Sequence, residues 1–260
     1  MTKAVERYAC LTFHTERLYD DKVWESVRDI VEFLDSKDMP ATWFSIAPVH
    51  SVYLGRQFSP DKWSQRLREL SSRNQLIEQH THFYKETKGP YDLSWTNLEK
   101  RLLEDKHWLE SQGFKIKGFV GGGWAINKEL LKLLVINDYL YDCTIATFTS
   151  NYTNVMAVPY PAKFPLRSKF LIEIPTSHHL SLKKAFSVIS PFGRNQFVQL
   201  DESEFCVVYL HDWDLTKLRN RSTLKIILNI LRRKAKFVTT RHLAKYLGSC
   251  HLPSIDLEEK

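Results

Sequence analysis

Two histidines separated by a single residue, His80 and His82, close an apolar run of the sequence that starts at Gln75. If a strand continues through them, both imidazoles point to the same side, because alternate side chains of a strand share a face. Imidazoles placed in this way can bind a metal ion or transfer protons. A His-x-His pair by itself is more often structural, so the chemical interpretation depends on residues elsewhere in the chain.

Other titratable residues follow apolar runs in the same manner. His14 and Glu16 come after the first run, and His211 and Asp212 come after a late one. In α/β folds, functional groups gather at the carboxyl ends of parallel strands. The sequence therefore predicts that these four residues share one site with the histidine pair, where metal binding or general acid–base chemistry would take place.

The apolar spacing predicts strands that alternate with helices, and Asp20 is placed to cap the first helix. The predicted strands are residues 8–13, 41–46, 75–80, 116–119, 139–144, 170–174, 205–210 and 236–238. The predicted helices are residues 20–37, 59–71, 94–111, 127–137, 216–232 and 240–247. Residues 146–169 are rich in proline, serine, threonine and asparagine, and are predicted to form a long loop.

No change of composition divides the chain into two parts. We therefore expect one α/β barrel domain over residues 1–250, followed over residues 251–260 by an acidic tail whose sequence carries no packing signal. With 43% hydrophobic and 26% charged residues, the chain can bury a sizeable core. The N-terminus lacks a signal-peptide core, and no stretch approaches the roughly twenty apolar residues of a transmembrane segment. These features favour a cytoplasmic protein.

The four cysteines lie far apart, which favours reduced thiols over a disulfide framework or a zinc knuckle. The net charge of +7 favours anionic partners, and basic residues are concentrated between Arg219 and Lys245. This concentration is either a solvated helix face, a site for a phosphate-bearing substrate or a contact with an anionic membrane. No nucleic-acid-binding motif is present, so nucleic acid is the least favoured partner.

Several segments resemble, in order and spacing, the polysaccharide deacetylases, a family of the carbohydrate esterase type, over residues 8–247. These segments are LTFHTE at 11–16, PATWFSI at 40–46, QHTHFY at 79–84, GFVGGGW at 118–124, YDCT at 141–144, IEIPTS at 172–177 and VVYLHDW at 207–213. The resemblance implies an α/β fold of the distorted (β/α)7 barrel type. It also implies a hydrolase that acts on the amide carbon–nitrogen bond of an N-acylated sugar.

The resemblance implies roles for individual residues as well. In that family one acidic residue and two histidines hold a divalent metal, an aspartate is the base and a histidine is the acid. His211 matches the acid, and Asp212 beside it is placed to orient it. His80 matches the first metal histidine, and Glu16 matches the acidic ligand. His14 stands where the family has its catalytic aspartate, and a neutral imidazole can also accept a proton.

Two positions depart from the family pattern. Tyr84 stands in the place of the second metal histidine, and Val120 stands in the place of an arginine. Two arrangements remain open. Either His82 supplies the missing ligand in a cluster of Glu16, His80 and His82, with His14 open as a fourth member and zinc as the favoured divalent metal, or the site binds no metal and works through His14 and His211 as base and acid.

Two tryptophans, Trp124 and Trp213, lie near the predicted strand ends, where they could stack on a sugar ring. The favoured function is a cytoplasmic hydrolase that removes an acetyl or formyl group from a nucleotide- or lipid-linked sugar in surface-polysaccharide or O-antigen biosynthesis. The alternative is a non-catalytic carbohydrate-binding protein on a degenerate deacetylase barrel.

Overall fold

The computed structural model describes residues 6–48, 59–83, 98–146, 160–179, 198–199 and 203–257. Their strands are β1 (Glu6–Thr15), β2 (Thr42–Ser45), β3 (Leu76–Thr81), β4 (Gly118–Gly121), β5 (Tyr141–Asp142), β6 (Ala162–Leu166), β7 (Lys169–Glu173), β8 (His178–His179), β9 (Val198–Gln199), β10 (Ser203–His211) and β11 (Lys236–Phe237). Their helices are α1 (Asp21–Asp35), α2 (Pro60–Ser72), α3 (Leu98–Ser111), α4 (Lys128–Ile136), α5 (Leu218–Leu231) and α6 (Thr240–Ser249). Short 3-10 helices cover Gly122–Trp124 and Asp212–Thr216.

The strands form one curled sheet in the order β6-β7-β5-β4-β3-β2-β1-β10-β8, with β11 beside β1 and β9 beside β10. Neighbouring strands from β7 through β5, β4, β3, β2 and β1 to β10 pair in parallel. Strands β6 and β9 pair with their neighbours in the antiparallel direction. Along the chain, one α-helix separates each pair of consecutive strands from β1 to β5, so the predicted α/β architecture is confirmed.

Strand β1 places the first candidate residue at the edge of the sheet. It pairs with β2 on one side and with β10 on the other, and this register makes His14 the partner of Phe44 and of His211. Side chains of β1 alternate between two faces. Tyr8 and Cys10 pack in the cluster inside the barrel, and His14 lies on the same face. The ends of β1 and β10 therefore meet where the sequence predicts a site.

The core has two parts, one on each face of the sheet. Between the sheet and the surrounding helices, Phe13 stacks on Trp43 with ring centroids 4.0 Å apart, and Trp63 of α2 is completely buried. Inside the barrel, Tyr8, Phe44, Val120 and other apolar side chains of the strands pack together. This burial is the main source of stability for the sheet that carries the site.

The helices confirm the predicted order, and their ends agree within a few residues. The Asp20 carboxylate caps α1 by accepting the backbone N–H of Lys22 at 2.8 Å, as the sequence predicts. Ser59 caps α2, with Pro60 in the first turn. The predicted start of the third helix, at residue 94, lies outside the described residues.

The predicted long loop over residues 146–169 is wrong for residues 162–166, which form strand β6. Ala162, Phe164 and Leu166 are buried and alternate with less buried residues, the pattern of a strand that packs on one face. Pro165 concealed this pattern in the sequence. Because β6 lies at the end of the sheet order and its other side carries only a short bridge, between Lys163 and Ser254 among the described residues, it can tolerate a residue without an N–H.

The acidic tail, whose sequence carries no packing signal, is packed at least as far as residue 257. Leu257 is completely buried within the core between sheet and helices, and Leu252 is buried in the barrel cluster. The backbone N–H of Ile255 donates to the Lys163 carbonyl at 2.9 Å. Two leucines among polar residues gave no periodic signal, yet the edge strand β6 provides a surface for this segment.

The cysteines are free thiols, as predicted: Cys10, Cys143 and Cys206 are buried and Cys250 is partly exposed. Among the described residues, each helix is too short or too polar to cross a lipid bilayer.

Candidate active site

Three side chains converge beyond the ends of β1 and β3. Glu16 Oε1 lies 3.1 Å from His80 Nε2 and 3.0 Å from His82 Nε2. One ligand atom from each residue lies within 4.8 Å of the others, which makes the group a candidate metal site. The strand places both imidazoles on the same side, as the His-x-His spacing predicts, although 64 residues separate Glu16 from His80.

The proton on His80 can be assigned from its partners. Its Nδ1 lies 2.9 Å from the Val120 carbonyl oxygen, and because a carbonyl oxygen only accepts, Nδ1 carries the proton. In the neutral ring Nε2 then presents a lone pair to the Glu16 carboxylate. Two acceptors at this distance repel each other unless a proton or a cation lies between them.

This donor set fits a divalent transition metal. Two imidazole nitrogens and one carboxylate oxygen form a ligand set used by catalytic zinc sites, which keep a further position open. A backbone carbonyl that accepts from the second ring nitrogen, as Val120 does for His80, is the common way to orient a metal-binding histidine. The valine therefore contributes through its backbone.

The electrostatics of the group keep Glu16 charged. Burial by itself would raise the pKa of the Glu16 carboxyl, but the adjacent His80 and His82 rings outweigh burial and hold that pKa well below its usual range. Burial lowers the pKa of His82, and the nearby His80 lowers it further. A charged carboxylate beside a neutral imidazole is the protonation state that metal binding requires.

His14 lies next to this group but is not one of the three candidate ligands. Its ring centroid is 4.6 Å from that of His80 and 5.6 Å from that of His211, and only 4% of the residue is exposed. Burial lowers the pKa of His14, and the neighbouring His80 and His211 lower it further. His14 is therefore a neutral imidazole near pH 7, which leaves one ring nitrogen with a lone pair that can serve as a transient proton acceptor during a reaction.

His211 occupies the opposite side of the site. Its Nε2 lies 3.7 Å from Glu16 Oε1, and its Nδ1 lies 3.7 Å from Asp214 Oδ2. The Tyr209 hydroxyl is 3.0 Å from Nδ1 and 3.1 Å from Nε2, so it can bond to either nitrogen. Trp213 stacks on the His211 ring with centroids 3.9 Å apart. These neighbours restrict the orientation of the imidazole.

Asp212 has different partners from those expected. Its carboxylate accepts the backbone N–H groups of Glu16 at 3.1 Å, Arg17 at 2.7 Å and Trp213 at 2.9 Å. Burial raises the pKa of Asp212 to about 8, although the N–H of Arg17 opposes the increase. Asp212 thus fixes the segment that carries Glu16, while Asp214 is the acidic side chain that faces His211.

The two tryptophans lie beside the histidines, half-buried. Trp124 packs edge-on against Tyr209 with centroids 4.9 Å apart and lies 5.4 Å from His14. The Arg17 guanidinium lies over the Trp213 ring, 5.0 Å from its centroid. Both tryptophans are partly exposed beside these histidines, where stacking on a sugar is sterically reasonable.

The sequence analysis did not single out Tyr209, Asp214 or Arg17. A signal was present for Tyr209, because it lies two residues before His211 in a strand and so shares its face. Asp214 lies in the short 3-10 helix after β10 and Arg17 in the loop after β1, where no periodicity relates a residue to the site. Tyr84, in the place of the family's second metal histidine, lies outside the described residues.

The protein resembles known proteins in its fold. Protein-family models and curated protein sequences give no match. A crystal structure of a protein assigned as a polysaccharide deacetylase from Mycobacterium smegmatis superimposes with a TM-score of 0.67 at 13% identity, covering 98% of this chain and 95% of that chain. The Puue allantoinase gives a TM-score of 0.64 at 14% identity, covering 95% and 92%.

A CE4 family pseudoenzyme from Bacillus anthracis gives a TM-score of 0.56 at 13% identity, covering 92% of this chain and 66% of that chain. At these identities the similarity establishes the fold. The chain has the α/β barrel of the polysaccharide deacetylase type, as the sequence predicts.

Proposed function

We propose that the protein is a metal-dependent hydrolase that removes an N-acyl group from a sugar. The observation that carries this proposal is the convergence of Glu16 Oε1 with the Nε2 atoms of His80 and His82 at 3.0–3.1 Å, beside two further histidines. The fold is one in which carbohydrate deacetylases occur, which is consistent with this chemistry. The residues that would hold the metal are Glu16, His80 and His82.

When bound, a divalent ion such as zinc would act as a Lewis acid toward the acyl carbonyl and make an adjacent water more acidic. His14, neutral and buried beside the three ligands, accepts a proton from the attacking water. His211 donates a proton to the sugar nitrogen as the carbon–nitrogen bond breaks. The products are a carboxylate and a free amino sugar, and the proton taken by one histidine balances the proton given by the other.

Tyr209 and Asp214 would restrict the His211 ring to the position from which it can donate. Tyr209 contacts the ring nitrogens at 3.0 and 3.1 Å, and Asp214 lies 3.7 Å from Nδ1. A ring that is already oriented loses little entropy in the reaction. Trp124 and Trp213 would bind the sugar on the solvent side.

An exposed arginine beside the site, Arg17, supports an anionic substrate. Arg17 follows Glu16 directly, its guanidinium lies over the Trp213 ring, and within the described part of the chain no carboxylate pairs with it. A guanidinium so placed can bind a phosphate in a bidentate manner. We therefore propose a nucleotide- or lipid-linked N-acyl sugar as the substrate, which would place the reaction in the cytoplasm, in surface-polysaccharide or glycan-precursor synthesis.

The test compares acetate release from N-acetylated sugars that differ only in a 1-phosphate. Wild-type protein, chelator-treated protein and zinc-reloaded protein are assayed with N-acetylglucosamine and its 1-phosphate. We expect turnover that disappears with the metal, returns with zinc, and is faster on the phosphate. An Arg17→Gln variant should lose the preference for phosphate and keep the turnover of the neutral sugar.

A second candidate is a carbohydrate-binding protein without hydrolytic activity. It is favoured by His14, which stands at the end of β1 where the resemblance places an aspartate, and by the similarity of the fold to a pseudoenzyme. This candidate predicts saturable binding of N-acyl sugars without release of the acyl group at any zinc concentration. Turnover that depends on His211 would exclude it.

A further inference from the structure

We infer that Gly122 is the residue that seats His82 in the ligand group, and that any larger residue at this position would displace the imidazole. The inference rests on the proposed metal centre and adds to it a positioning residue outside the three ligands. Strands β3 and β4 pair with Thr81 opposite Gly121, so the next residues, His82 and Gly122, leave the sheet side by side.

The space beside Gly122 is filled by the imidazole. A Cβ built on Gly122 would lie 2.3 Å from His82 Cγ, 2.3 Å from Nδ1 and 2.6 Å from Cε1, whereas ordinary contacts begin at 3.4 Å. The ring therefore packs directly on the glycine backbone. The opposite edge of the same ring carries Nε2, which lies 3.0 Å from Glu16 Oε1.

The clash cannot be relieved by a small rotation. Cγ is the first ring atom, so turning the ring about the Cβ–Cγ bond leaves it in place. Only a change of the Cα–Cβ torsion or of the backbone can move Cγ by the 1.1 Å that separates 2.3 Å from 3.4 Å. Either movement carries Nε2 away from Glu16. The glycine is thus a condition for a three-residue site.

The first experiment measures zinc affinity by competition with a chromophoric chelator for wild type, Gly122→Ala and Gly248→Ala. Gly248 is the matched control, because a Cβ there meets nothing within 4 Å. We expect Gly122→Ala to weaken zinc binding by roughly 10- to 100-fold, the range typical of residues that orient a metal ligand. The control should bind as wild type does. Wild-type affinity in Gly122→Ala would overturn the inference.

The second experiment uses metal-free protein, so that it remains informative if the proposed metal centre fails. Thermal unfolding is compared for Gly122→Ala, His82→Ala and the double variant. We expect Gly122→Ala to lower the midpoint temperature of unfolding relative to wild type. The double variant should have the same midpoint as His82→Ala, because alanine at position 82 leaves room for the new methyl group. If Gly122→Ala does not fold but the double variant does, the result likewise shows that the methyl group at position 122 meets the His82 imidazole.

Gly122→Ala could instead lower the unfolding midpoint equally in wild type and in the His82→Ala protein. The methyl group would then meet something other than the imidazole, and the inference would be overturned. Absence of zinc binding in the wild type would contradict the proposed function. In that case the metal-free comparison still decides whether Gly122 seats His82.

Discussion

His14 and His211 are direct partners in the register of β1 and β10, and their rings lie 5.6 Å apart at the carboxyl ends of the two strands. The two residues are separated by almost the whole chain, yet parallel pairing brings them to one edge of the sheet. Neither is one of the three candidate metal ligands. Their proposed roles in proton transfer can therefore be separated from metal binding.

Replacing either histidine should abolish most turnover without removing the metal. We expect His14→Ala and His211→Ala each to lower kcat by about 10²- to 10⁴-fold, the usual contribution of a general acid or base, with zinc content unchanged by elemental analysis. Exposed His107→Ala on α3 is the control. Full activity in His14→Ala would assign the base to another group.

Replacing Asp212 should mainly lower stability, whereas replacing Asp214 should mainly lower the rate of catalysis. Asp212→Ala removes the acceptor of three backbone N–H groups at a fully buried position, and we expect a loss of about 3 kcal/mol of unfolding free energy. Asp214→Ala, at a partly exposed position, should cost about 1 kcal/mol or less but should lower kcat. Urea unfolding followed by tryptophan fluorescence measures the first effect. Equal destabilisation by the two variants would contradict this assignment.

Asp105 should contribute stability that falls between about pH 4 and pH 7. Burial raises the pKa of Asp105 to about 7, so the folded state holds a proton that the unfolded state releases at a lower pH. Stability from this group is present at low pH and is lost as the pH rises toward 7, by an amount on the order of a few kcal/mol. Asp105→Asn should flatten this dependence.

The control for Asp105 is Thr81→Val, which removes the hydroxyl that donates to Asp105 Oδ2 at 2.7 Å but keeps the acid. The Val variant should be less stable and retain the pH dependence. Unfolding midpoints measured from about pH 4 to about pH 8 distinguish Asp105→Asn from Thr81→Val. An unchanged pH dependence in Asp105→Asn would show that another buried acid is responsible.

Arg241 should stabilise the protein by compensating a buried charge. Its Nε and Nη2 donate to Glu78 Oε1 at 3.0 and 2.8 Å, and Glu78 has no solvent exposure. Arg241→Ala leaves that carboxylate without its cation, and we expect the free energy of unfolding to fall by about 3 kcal/mol. Adding Glu78→Gln to Arg241→Ala should recover part of the lost stability, because the buried charge is then removed.

Exposed Arg232→Ala provides the comparison for Arg241→Ala and should change stability by less than about 0.5 kcal/mol. Chemical denaturation of the single and double variants gives the coupling free energy between Glu78 and Arg241. A coupling near zero would mean that the backbone N–H groups of Lys117 and Gly118, which also donate to Glu78, suffice to hold its charge.

Local patterns in the sequence predicted the order of strands and helices, the capping of α1 by Asp20, and the shared side of His80 and His82. These features depend on residues a few positions apart, through the periods of helix and strand and through side chains that bond to nearby backbone. The same locality explains the errors. Strand β6 and the packed segment around Leu257 are stabilised by distant residues and carry only weak periodic signals.

The tertiary structure decided how the candidate residues are combined. The sequence suggested Glu16, His80 and His82 as ligands, but only the pairing of distant strands brings Glu16 Oε1 within 3.1 Å of both imidazoles. It also placed Asp214 rather than Asp212 beside His211, and Gly122 against His82. Turn geometry and strand register set these distances, and both result from packing across the whole barrel, which no stretch of sequence specifies by itself.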